Sequence, residues 1–145
     1  MHYNMTANPE QEPTLTDMTS SAIKLLSRQP EGFFLFVEGG KIDLAHHKTR
    51  AHRALDETLE LARAVQAAVD LTDPDDTLIV VTADHAHTMS ISGYPTRGND
   101  IFGLAGTSNV DMLPLATLSY ANGPGYKAPT ATGRRYNISE DDMRK

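Results

Sequence analysis

The sequence contains no cysteine and no tryptophan. Without thiols, disulfides and thiolate metal sites are excluded within these residues. Long apolar runs are missing too. The longest, Phe33-Phe34-Leu35-Phe36-Val37 and Leu78-Ile79-Val80-Val81, are strand-sized and far below the ~20 residues of a membrane-spanning helix. Positive charge is scarce: 13 Lys and Arg stand against 19 Asp and Glu, a formal net charge of −6. That balance argues against nucleic acid or an anionic membrane as a partner. The opening residues 1–13 have neither an apolar signal core nor a basic start, and Met143-Arg144-Lys145 closes a polar stretch without an anchor, so both ends read as cut. What remains is ordinary for a globular chain. Its 145 residues, 39% hydrophobic, suffice for one packed domain.

Hydrophobic spacing orders the elements. Thr14 or Thr16 can cap a short helix with Asp17 in its first turn and Met18, Ala22, Leu25 and Leu26 as its apolar stripe; it should stop at Gln29, before Pro30. The run 33–37 reads as a strand buried on both faces, the kind found in parallel sheets covered by helices. Glu38-Gly39-Gly40 turns the chain into a long helix expected from about Ala45 to Val69, with Ala51, Ala54, Leu55, Leu59, Ala62, Val65 and Val69 three and four apart. After Asp73-Pro74-Asp75-Asp76 comes a second buried strand, 77–82. Helix, strand, helix, strand predicts an α/β fold with a parallel sheet and right-handed crossover. Residues 93–106 read as a long functional loop, and 113–120 as a third strand with Pro114 near an edge. Asn4-Met5-Thr6 and Asn137-Ile138-Ser139 would accept glycan in a secreted protein.

Two clusters carry chemistry, each immediately after a predicted strand: Glu38-x4-Asp43-x3-His47, and Asp84-His85-x-His87. Ligands bind at the carboxyl ends of strands in open parallel sheets. Carboxylates gathered there repel one another and lose solvation unless dications sit among them; imidazole with carboxylate suits zinc, and an all-oxygen set suits magnesium. Asp43 and His47, four apart, can share one helix face. Each residue also has an ordinary alternative. Glu38 can be a solvated turn residue, Asp43 a helix N-cap, and His46, His47 and His52 exposed helix positions. His87 suits a structural or outer role better than ligation, while His2 and His52 are assigned no role in the site. Two clusters at the same end of two strands favour the metal reading.

At these residues the chain resembles the animal alkaline phosphatases. The matching stretches are Gly32-Phe33-Phe34-Leu35-Phe36-Val37-Glu38-Gly39-Gly40-Lys41-Ile42-Asp43 with His46-His47, Val81-Thr82-Ala83-Asp84-His85 with His87, Gly93-Tyr94-Pro95-x-Arg97-Gly98 with Ile101-Phe102-Gly103, and Tyr120-x-Asn122-Gly123-Pro124-Gly125-Tyr126. The resemblance implies a partial parallel-sheet sandwich core over residues 1–127, metal ligands at strand C-terminal ends, and a crown-type surface insertion beginning in 128–145. It implies phosphomonoester hydrolysis through a phosphoserine intermediate at a site of two Zn2+ and one Mg2+. Glu38 would bind Mg2+, Asp43 and His47 the first Zn2+, and Asp84 and His85 the second, with His87 and His46 in the outer shell. Tyr94 falls where mammalian-type members reach toward the partner subunit. A homodimer at the cell surface or outside the cell, glycosylated and GPI-anchored, is implied for the full-length protein.

The departures are equally specific. The family's Asp-Ser-Ala nucleophile motif and phosphate-clamping arginine, expected upstream, are not in this sequence, and the third ligand of the first zinc is expected downstream. The fragment alone is therefore expected to be inactive. Leu44 stands where well-known members place a basic or histidine side chain. Two alternatives accompany the resemblance: another metal-dependent phosphatase or sulfatase superfamily member, and a non-catalytic surface-binding relative.

Overall fold

The computed structural model describes residues 1–133 and 135–139. The chain forms two compact units, one of residues 1–44 and 53–86, the other of residues 45–52 and 87–145. Helix and small antiparallel sheets make up the regular structure.

In the first unit, helix α1 (Leu15–Leu26) opens with a capping box: Thr14 accepts from the Asp17 backbone N–H while the Asp17 carboxylate accepts from the Thr14 backbone N–H. Thr14 is thus the cap, and the helix ends at Leu26, short of Pro30. Helix α3 (Ala51–Leu71) buries Ala54, Glu57, Glu60 and Ala64, whereas Leu59 and Val69 of the expected apolar stripe are 59% and 50% exposed. Two carboxylates turn that face inward. Glu57 Oε1 accepts from the Asn4 backbone N–H at 2.7 Å, and Glu60 Oε1 accepts from the Thr16 backbone N–H and hydroxyl at 2.9 and 2.7 Å. Arg63 Nε donates to Glu60 Oε2 at 2.8 Å. Burial penalises the Glu60 charge, but these donors outweigh it and lower its pKa. Tyr3, 8% exposed, lies beneath the cations of Lys41 and Arg53, 5.2 and 4.8 Å from its ring centre.

One long helix from Ala45 to Val69 is not what forms. Helix α2 (Gly40–His47) starts earlier, stops, and α3 begins afresh at Ala51. Between them Thr49 takes φ 53°, a left-handed conformation that ends a helix. In the second unit, its hydroxyl accepts from the Gly125 backbone N–H at 2.7 Å, a long-range contact that periodicity does not encode.

The second unit holds both sheets. Strand β1 (Met89–Ile91) pairs antiparallel with β4 (Leu118–Tyr120), Met89 opposite Tyr120 and Ile91 opposite Leu118. Strand β2 (Leu104–Thr107) pairs antiparallel with β3 (Pro114–Ala116), with a register shift between Leu104 and Gly106. The expected single strand 113–120 is therefore two, divided at buried Thr117, where the chain leaves one partner for another. Thr117 bridges both sheets: its N–H donates to the Gly103 carbonyl and its carbonyl accepts from Ser92 N–H. The expected loop 93–106 ends inside β2.

Segments 33–37 and 77–82 form no strand among the described residues. Phe34, Phe36, Leu78 and Val80 are 89%, 78%, 88% and 74% exposed. A two-faced apolar strand needs neighbours on both edges and both faces, and the described residues do not supply them. Of the stretch 128–145, residues 128–133 and 135–139 carry no helix or strand; the remaining positions lie outside the described residues.

Candidate metal centre

Helix α2 places Asp43 and His47 one turn apart on the same helix, and Asp84 and His85 follow the extended segment 77–82. Within the first unit the structure brings Asp43, Asp84 and His85 together. His85 Nε2 lies 3.7 Å from Asp43 Oδ1 and 3.4 Å from Asp84 Oδ2. His85 Nδ1 is 3.2 Å from the Ala86 carbonyl oxygen. A carbonyl only accepts, so Nδ1 is the donor of that contact, and Nε2 is the ring atom turned toward the two carboxylates. An imidazole nitrogen approached by two carboxylate oxygens is a donor set that suits a cation. The separations suit one: ligands of a tetrahedral zinc, bonded at about 2.0–2.2 Å, stand roughly 3.5 Å apart. The side chains are open to solvent, 38% exposed for Asp43, 53% for His85 and 86% for Asp84. The Asp84 carboxylate also accepts from the His85 backbone N–H at 3.0 Å, which fixes its approach.

Glu38 is placed differently. It lines a cavity of about 110 Å³ with His2, Glu12, Lys41, Glu57 and Glu60, whose walls include none of Asp43, Asp84 and His85. His2, assigned no part in the metal site, holds Glu12: its backbone N–H and Nδ1 each lie 2.6 Å from the carboxylate. The His2 side chain and amide are the main cause of a Glu12 pKa lowered to about 2.

Within the second unit, His46, His47 and His87 form a ring cluster. His46 stacks on His87 with centroids 4.7 Å apart and planes at 22°, and His47 meets His87 edge-on at 5.1 Å and 87°. His46 Nδ1 lies 2.9 Å from the Tyr120 hydroxyl. Tyr120 was visible in sequence only as part of a family stretch; nothing in its neighbours signals a pairing 74 residues away. His52 packs against Phe102 at 4.5 Å, a packing role. Tyr94 is fully exposed with φ 48°, and Leu44 is 46% exposed. Asn137 is exposed, while the Asn4 side-chain amide donates to Asp56 Oδ2 at 2.9 Å. No helix is long and apolar enough to cross a membrane among the described residues.

Comparison with known proteins gives a consistent result. The profile of the alkaline phosphatase family matches residues 1–145. The chain is 50% identical over 144 residues to the tissue-nonspecific alkaline phosphatase isozyme of Gallus gallus, covering 99% of this chain and 27% of that protein. It is 50% identical over 97% of its length to the membrane-bound alkaline phosphatase of Bombyx mori, of which it covers 26%. With the tissue-nonspecific isozyme of Homo sapiens the identity is 47% over 98% of this chain and 27% of the relative. The chain thus spans about a quarter of the length of these relatives.

Proposed function

From a chain that belongs to the alkaline phosphatase family, we propose that the full-length protein hydrolyses phosphomonoesters and that these residues supply about half of its metal ligands. The observation that carries this reading is the approach of Asp43 and Asp84 to Nε2 of His85. Asp43 and His47 would hold one Zn2+, Asp84 and His85 a second, and Glu38 the Mg2+. The donor set fits: imidazole and carboxylate for zinc, carboxylate oxygen for magnesium. When bound, the dications would offset phosphate charge and favour an ionised nucleophile at alkaline pH.

The chain's own part is positional. Helix α2 sets Asp43 and His47 on adjacent turns, and the Ala86 carbonyl orients the His85 ring. His87 and His46 stand behind His47. The nucleophilic serine, phosphoserine formation and the remaining ligands belong to parts of the protein outside these residues. So would the strands that turn 33–37 and 77–82 into a parallel sandwich core, the insertion begun in 128–145, the homodimer contact, and attachment at the cell surface.

The test is hydrolysis of p-nitrophenyl phosphate by the full-length protein with zinc and magnesium. Asp84→Ala should lower turnover by roughly 10²–10³-fold, the scale of deleting a group that organises transition-state charge. Near-normal turnover would discard the site assignment. Leu44 favours a second reading, a non-catalytic surface-binding relative, because its exposed apolar side chain offers phosphate no positive or polar contact. Absence of turnover in a zinc-loaded wild-type protein would select it.

A further inference from the structure

We propose that Tyr120 is a positioning residue for His47, acting through His46 and the ring of His87 that both histidines share. The inference rests on the reading of His47 as a zinc ligand and adds a residue to it. His46 and His47 are the last two residues of α2. His46 is half-buried, stacked on His87 on one side and bound through Nδ1 to the Tyr120 hydroxyl at 2.9 Å. His87 is in turn the edge-on neighbour of His47.

The sheet fixes this arrangement. Tyr120 ends β4 and stands opposite Met89 of β1, two residues beyond His87, so the ladder brings His87 and Tyr120 to the same end of the pair. The chain leaving α2 is tied down as well. Lys48 and Arg50 N–H groups donate to the Ala45 carbonyl, and Thr49 receives the Gly125 N–H. The backbone at the end of α2 is therefore held. Burial pushes the Tyr120 phenol above its ordinary pKa. The contact holds the ring in either tautomer, the hydroxyl donating to a bare Nδ1 or accepting from Nδ1–H. If that bond is lost, His46 turns, the His87 ring loses its stacked face, and His47 loses a fixed neighbour. Groups that orient a metal ligand typically carry 10–100-fold of metal affinity.

The experiment uses the full-length protein and three variants, Tyr120→Phe, Tyr120→Leu and His46→Phe, with zinc retention read by chelator competition and geometry by the visible absorption of the cobalt-substituted form. Tyr120→Phe, which keeps the ring and removes the hydroxyl, should weaken zinc retention about 10-fold and alter the cobalt spectrum. His46→Phe, which keeps a ring against His87 and removes Nδ1, should do the same. The thermal midpoint of the metal-free protein should be unchanged in both. Wild-type zinc retention and spectrum in both Phe variants, with loss only in Tyr120→Leu, would overturn the proposal and leave Tyr120 as packing. A wild-type protein that binds no zinc would remove the phosphatase reading and this one together.

Discussion

At the scale of single residues, the chain's acidic side chains divide by what answers their charge. Glu57 and Glu60 are buried and answered by amide and hydroxyl donors from the N-terminal segment; Asp111 is half-buried and answered by a two-pronged Arg135 contact at 2.7 and 2.8 Å. Asp43 and Asp84 approach the same imidazole nitrogen, Nε2 of His85, instead. Glu12 gives a pH prediction. Its pKa is about 2 in the fold, below its ordinary value of 4.5, so its contribution to stability is present above about 4.5 and is lost as pH falls toward about 2. His2→Ala should move the Glu12 titration, followed by carboxyl NMR, up toward 4.5; an unmoved titration would show that His2 does not hold the carboxylate.

Among elements, the break between α2 and α3 shows where local pattern loses to tertiary contact. Residues 45–69 are periodic throughout, yet the helix stops because Thr49 is drawn to the 123–125 turn. Gly123 has φ 94°, and a Cβ there would lie 2.6 Å from Thr49 Cγ2. Gly123→Ala therefore combines a left-handed backbone with a clash, and should destabilise the full-length protein by about 1–3 kcal/mol. A chemical-denaturation midpoint equal to wild type would mean the turn does not pin Thr49. The division of 113–120 at Thr117 has the same origin: one apolar segment serves two partner strands, and only the fold determines where it changes partner.

For the whole molecule, the exposed segments 33–37 and 77–82 govern how the isolated chain behaves. Phe34, Phe36, Leu78 and Val80 present contiguous apolar chain to solvent, and extended segments without partners pair readily with other chains. The isolated 145-residue chain should self-associate, seen as concentration-dependent light scattering, and should not hydrolyse p-nitrophenyl phosphate with zinc and magnesium present. A monodisperse, active fragment would contradict both this expectation and the assignment of the nucleophile to another part of the protein.

The sequence by itself determined the family and the capped first helix, because these rest on local chemistry: the motif stretches around the apolar runs and a Thr14–Asp17 box. The grouping of Asp43 with Asp84 and His85, and that of Glu38 with Glu12 and Glu60, were decided by tertiary structure, as were the helix break at Thr49 and the pairing of His46 with Tyr120. Those depend on contacts between residues dozens of positions apart, and hydrophobic spacing records which side of an element is apolar but not what meets it.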